Sequence, residues 1–329
     1  MYSNSSNVLK QIQCPIETEF KQFNEWFDTQ IQQDSSYMRT ILSYVYKSKG
    51  KQIRPLLTIL SAKLVSSEIA APTFAAATMI EMIHGASLVH DDVVDQSFQR
   101  RGIYSANAIW GAKTSILSGD YLFTKGLIHG LQWNSQEVIQ VAAETILQMS
   151  EGEIIQMEYA RKIHLSQAGY FEIIDKKTAC LLANCAKIGG ASVNATQVQK
   201  EALHQYGRHL GIAFQLKDDI LDYESTAQGK PIGNDLIERK LTLPLLYALE
   251  RANIVERMFR RSQIRHCDRK PDLIPMIQKW VVASGGVDYT RDKIREHGLM
   301  AERALDIFED SPAKQSLLLL IDYLAERKL

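Results

Sequence analysis

Residues 75–95 read AAATMIEMIHGASLVHDDVVD. Apolar residues recur there at three- and four-residue intervals, the period of an amphipathic helix and not the alternation of a half-buried strand. The same period runs through RPLLTILSAKLV (54–65), QEVIQVAAETILQMSEGEIIQMEYARKI (136–163) and GRHLGIAFQLKDDILDY (207–223). Alternating runs closed by Asn-Gly or Asp-Gly turns are absent. The breaks are read at YKSKGKQIRP (46–55), RRGIYSANAIWGAKTSILSGD (100–120), STAQGKPIGND (225–235) and VASGG (282–286). With no proline- or serine-rich linker and no repeat of fixed period, the pattern predicts one all-α domain over residues 1–329. A helical scaffold of the solenoid kind satisfies the same periodicity.

The acids at the end of the first stretch set the next question. Positions 80, 84, 87, 91 and 95 share a helix face that reads Ile80, His84, Ser87, Asp91, Asp95. Asp91, Asp92 and Asp95 repel one another, and Arg100 and Arg101 follow too late to be their i,i+4 partners. Two carboxylates one turn apart beyond an apolar face pack poorly but suit a hard cation. Mg2+ takes a few carboxylates and leaves its other positions to water or phosphate oxygens. On this segment alone, His84, His90 and Asp91 also fit the ligand set of metal-dependent HD phosphohydrolases, and a solvated helix end fits too.

A second cluster, Asp218, Asp219 and Asp222 in FQLKDDILDY (214–223), repeats the DDxxD spacing in the same kind of apolar helix. Its face runs Gly211, Gln215, Asp218, Asp222. Two matched clusters imply opposing walls of one site for several cations bridged by a highly charged ligand such as diphosphate. An HD phosphohydrolase has no need of the second copy. The basic residues agree with this reading. In GKQIRP (50–55), Gly50 is read as ending one helix and Pro55 as opening the next, so Lys51 and Arg54 sit at a helix N-terminus that already favours anions. Arg100 and Arg101 precede Gly102 and offer two guanidinium forks to phosphate.

Composition narrows the alternatives. Of 329 residues, 45% are hydrophobic and 23% charged, and 38 Lys and Arg balance 38 Asp and Glu. Zero net charge argues against a general nucleic-acid binder. The cysteines Cys14, Cys180, Cys185 and Cys267 form no CxxC pair or metal spacing. MYSNSSNVLK lacks the apolar core of a secretory signal. IAAPTFAAATMI (69–80), broken by Pro72, and SLLLLI (316–321) are too short to span a bilayer. The expectation is a cytoplasmic, soluble chain.

The segments GKQIRP, IHGASLVHDDVVDQSFQRRG (83–102), KKTACL (176–181), FQLKDDILDY and GKPIGNDLIERKLTLPLL (229–246) occur in the order of the trans-isoprenyl (polyprenyl) diphosphate synthases, which the chain resembles over nearly its whole length. Gln52, where a basic residue is frequent, and Arg239, where glycine is common, depart from the family pattern. The resemblance implies long helices around a deep central cavity, usually in a homodimer. It implies that Asp91, Asp92, Asp95, Asp218, Asp219 and Asp222, with Lys177, form the catalytic set. Asp91, Asp95, Asp218 and Asp222 would hold Mg2+. Lys51, Arg54, His84 and Arg101 would bind isopentenyl diphosphate, and Arg100, Lys177, Thr178, Gln215, Lys230 and Lys240 the allylic diphosphate. Terpene cyclases share metal-triggered ionisation but usually lack the second basic site, and non-catalytic synthase subunits tend to lose one acid cluster. Short-chain members are understood to carry bulky aromatics just before the first cluster. Here stand Ala86 and Ser87, which would let a growing tail pass toward Ile83, Ile80, Met79 and Phe123. The expected product is long, hexaprenyl to decaprenyl and above all octaprenyl; a farnesyl or geranylgeranyl synthase is the alternative.

Overall fold

The computed structural model describes residues 2–32, 34–47, 50–100, 102–131, 136–163, 165–224 and 233–325. The N-terminal helices are α1 (Tyr2–Gln13), α2 (Glu17–Gln32), α3 (Ser36–Val45), α4 (Ile53–Val65) and α5 (Ala71–Val94). A minimal antiparallel hairpin, β1 (Gln99–Arg100) with β2 (Ile103–Tyr104), precedes α6 (Ala106–Leu131), α7 (Gln136–Lys162) and α8 (Gln167–Ile174). Then come α9 (Cys180–Ala191), α10 (Gln197–Glu224), α11 (Asn234–Ile237), α12 (Leu243–Arg251), α13 (Ile254–Arg265), α14 (Leu273–Ala283), α15 (Gly286–Ala304) and α16 (Pro312–Ala325). The expected all-α class holds.

The packing follows the apolar stripes. α5 lies along α6, and α10 packs against both α9 and α15. α10 joins two apolar clusters: Leu203, Tyr206 and Leu210 belong to one with α4, α5 and α9, while Ile212, Leu216 and Ile220 belong to another with α12, α14 and α15. No helix among the described residues is long and apolar enough to cross a membrane.

Three local expectations need correction. The stretch 100–120, read as a break, is mostly helix α6. Gly111 at φ +78 interrupts its first turns, and that glycine together with Gly119 and the scattered serines obscured the period. Gly50 does not end a helix: α3 stops at Val45, and Gly50 lies in the connection. Arg100 leaves the acid helix in a strand of the hairpin, which folds it back toward that helix. The reading of VASGG holds, since Gly285 at φ +78 precedes α15, a backbone region that favours glycine.

Candidate active site

α5 begins with Pro72 in its first turn and continues through good helix formers such as Ala75, Ala76, Ala77, Met79 and Met82, while its β-branched Ile80, Ile83 and Val89 are buried in the core. Asp91 and Asp92 lie in its last turn, and Asp95 caps it. Asp95 donates its N–H to Asp91 O at 2.8 Å, and Gln96 turns left-handed at φ +49. Asp91 and Asp95 are thus one turn apart at the mouth of a cavity of about 270 Å3. Asp92 points elsewhere: it is buried, and its Oδ1 accepts from Arg100 Nε at 2.9 Å. The arginine too distant for a helical pairing reaches the acid through the hairpin.

α8 and α9 are joined by a π-helical turn, Asp175–Ala179, that carries Lys177 and Thr178 to the cavity wall. Such wide turns are rare and need support from outside. Two glycines allow that support. A Cβ on Gly152 of α7 would lie 2.8 Å from the Lys177 backbone nitrogen, and one on Gly211 of α10 would lie 2.6 Å from Ala179 Cα. Arg208 adds a bidentate ion pair to Asp175, at 2.7 and 2.9 Å. Lys177 pairs with Glu153, and Thr178 Oγ1 donates to Gln215 Oε1 at 3.0 Å.

The second acid cluster divides. Asp219 is buried, 3% exposed, and lines the cavity from behind. It accepts from Tyr170 OH at 2.5 Å, Gln215 Nε2 at 3.0 Å and Leu243 N at 3.4 Å. Asp218 and Asp222 are half-buried; Asp222 Oδ2 accepts from Asp235 N at 3.3 Å. Burial, with the nearby Asp235 charge, pushes Asp219 up to about 7 despite its donors. Asp219→Ala is therefore expected to leave three donors without their acceptor and to lower stability by about 2–3 kcal/mol in urea denaturation, with Asp219→Asn milder. A fully stable Ala variant would remove this anchoring role.

Of the residues singled out in the sequence, the cavity brings together Asp91, Asp95, Arg100, Lys177, Thr178, Gln215, Asp219 and Lys240. Asp92, Asp218, Asp222, Lys51, Arg54 and His84 do not line it. Lys51 is exposed just ahead of α4, its ammonium 5.0 Å from the Tyr323 ring centre, and Arg54 lies in the first turn. Arg101 and Lys230 fall outside the described residues. Ala86 and Ile83 are fully buried, Ser87 is half-buried with its hydroxyl on His84 O at 2.8 Å, and Phe123 packs against the His90 ring. Both departures from the family pattern are left-handed, Gln52 at φ +47 and Arg239 at φ +57, so the glycine common before Lys240 has a conformational reason. Arg239 is held there by Asp268 at 2.8 Å. The sequence reading missed Glu153, Gln156, Tyr170, Asp235 and Glu238. GND at 233–235, beside a lysine already singled out, was a usable signal for Asp235; Tyr170 had none.

The site carries unneutralised acid. Burial pushes Asp91 up to about 6, with Glu153 and Asp95 adding repulsion against Lys177 and Arg100. Partial desolvation also raises Asp95, opposed by Lys240 and reinforced by Glu238. For Lys240, burial is outweighed by Glu238, Asp235 and Asp95, and its ammonium is held above the ordinary lysine range. Among the described residues, no three His, Cys, Asp or Glu side chains converge as a complete metal cage. The donor set still fits Mg2+, which accepts one or two carboxylates and takes its other oxygens from water and substrate.

A family model described as polyprenyl synthetase matches residues 35–278. The chain belongs to that family. Octaprenyl diphosphate synthase of Haemophilus influenzae is 33% identical over 312 residues, covering 94% of each chain. A short chain isoprenyl diphosphate synthase of Methanothermobacter thermautotrophicus is 32% identical over 323 residues, covering 94% of this chain and 97% of that protein. The crystal structure of a polyprenyl synthase from Caulobacter crescentus, complexed with calcium and isoprenyl diphosphate, superposes with a TM-score of 0.91 at 32% identity and covers 98% of both chains. The chain is a prenyltransferase, a polyprenyl diphosphate synthase with the all-α isoprenoid-synthase fold.

Proposed function

We propose that this synthase condenses an allylic diphosphate with successive isopentenyl diphosphates, in a Mg2+-dependent reaction, to a long all-trans polyprenyl diphosphate, octaprenyl above all. The observation that carries the reading is the meeting of Asp91 and Asp95 of α5 and Asp219 of α10 with Lys177, Lys240 and Arg100 around one cavity. Asp91, Asp95, Asp218 and Asp222 would hold Mg2+, which when bound neutralises charge on the departing diphosphate. Arg100, Lys177, Thr178, Gln215, Lys230 and Lys240 orient that group and stabilise its charge as the allylic bond breaks. Lys51, Arg54, His84 and Arg101 hold the second diphosphate, so that the isopentenyl double bond attacks the allylic carbon. The proton lost on closing the new double bond passes to the departing diphosphate, so no side-chain nucleophile is needed.

Length is read from small Ala86 and Ser87, one turn before the acids. A homodimer is supported by exposed Ile109, Ile116, Leu117, Ile128 and Leu131 along α6, an apolar surface suited to a second copy. A cytoplasmic location agrees with the lack of a membrane-spanning helix among the described residues.

The test is incubation with farnesyl and isopentenyl diphosphates, with and without Mg2+, followed by product chromatography. Products of thirty to fifty carbons support the reading; a cyclic hydrocarbon, no product, or arrest at geranylgeranyl diphosphate opposes it. Lys51→Ala is expected to raise the KM for isopentenyl diphosphate about tenfold through one lost charge-assisted contact, with the allylic KM unchanged. A rise confined to the allylic KM would exchange the two sites.

A further inference from the structure

Helix α13 is built inside out for a helix of a freely dissolved domain. Its inner side is anchored: Ile264 is fully buried, and the Arg257 guanidinium donates to Leu249 O, Glu250 O and Ala252 O at 2.8–2.9 Å, closing the end of α12. Its outer side carries large apolar side chains at adjacent helical positions. Ile254 is 74% exposed, Val255 79%, Met258 68% and Phe259 57%. Spacing of i, i+1, i+4 and i+5 places all four on one ridge.

Cations surround that ridge. Residues 251–270 hold seven Arg and Lys against two acids, in a chain whose net charge is zero. One acid, Glu256, is near Arg260, and the other, Asp268, pairs with Arg239. Arg265 and Lys270 are exposed and make no ion pair among the described residues. Arg251 flanks the other end, over the Tyr247 ring.

We propose that α13 docks the synthase on an anionic lipid surface, with Ile254, Val255, Met258 and Phe259 entering the headgroup boundary and Arg251, Arg265 and Lys270 meeting lipid phosphates. A convex apolar ridge with cations at both ends is the pattern of an interfacial helix. A second copy is the poorer occupant. A two-fold interface centred here would set each arginine-rich patch against itself, and α6 offers an apolar face without that repulsion. The ridge is also close to the chemistry. Leu165 and Leu241 line both the catalytic cavity and a smaller apolar recess whose far wall includes Arg257 and Arg261 of α13. The inference stands on this surface alone and is independent of the product length proposed above.

The test is co-sedimentation of the full-length enzyme with phosphatidylcholine vesicles, with and without phosphatidylglycerol, at low and high salt. Binding is expected only with the anionic lipid and should fade as salt screens the cations. The double variant Met258→Glu/Phe259→Glu should bind at least about tenfold more weakly. Arg265→Gln and Lys270→Gln should each weaken partition about fivefold. All these variants should keep wild-type turnover in a vesicle-free assay, which establishes that they fold. Absence of wild-type binding, variants that bind like wild type, or α13 variants that change the enzyme's mass in solution would each overturn the proposal.

Discussion

Asp91→Asn lowers turnover by about a thousandfold or more, as expected for loss of a carboxylate that helps to stabilise the departing diphosphate. The fold should not suffer. Asp91 is held in a desolvated position among like charges, and its carboxyl is pushed from 3.8 to about 6. A carboxyl whose folded value is raised contributes its stability below the unfolded value and loses it as pH rises through the folded one. The window here is 3.8 to about 6. In chelator, wild-type Tm should therefore fall across that window, whereas Asp91→Asn should lack this part of the fall and melt higher near neutral pH. Asp218→Ala, at the second acid cluster, should cause a comparable loss of turnover. Near-normal rates in either variant would remove the metal assignment. A chelated Asp91→Asn variant that melts below wild type at neutral pH would show that the carboxylate is structural.

The second large effect is on product length. Ser87 lies one turn, about 5.4 Å along the axis, before Asp91 on the same face. Ser87→Phe should place an aromatic floor beneath the growing tail and shorten the product to farnesyl or geranylgeranyl diphosphate while the first condensation persists. Ser87 is the cleaner site. Ala86 is fully buried beside Ile83, so a phenyl group there also overpacks the core, at about 1–3 kcal/mol. Wild-type enzyme that stops at farnesyl diphosphate, or a Ser87→Phe variant with unchanged products, would show that the tail does not follow this face.

Much of this architecture was legible residue by residue. Helix period, the absence of strand alternation, and the two DDxxD groups depend on neighbours within about four positions, and such spacings determine which side chains share a face. The all-α class follows from them. Helix α6 was not legible, because Gly111 and Gly119 read as breakers until the helix partner was known. Gly119 lies against the His90 ring, where any Cβ would collide.

Other features were decided by packing between distant segments. Three aspartates in DDILD look equivalent, yet only Asp219 meets Tyr170, 49 residues away, and becomes a buried anchor. Asp92 and Arg100 pair because a hairpin turns the chain back, and Lys177 finds Glu153 because α7 and α10 press glycines against a π turn. Local spacing orients a side chain around its own helix axis. Which group stands opposite, and whether water lies between, is set by how helices from remote parts of the chain come together, and that decides which acids serve the cavity and which hold it in place.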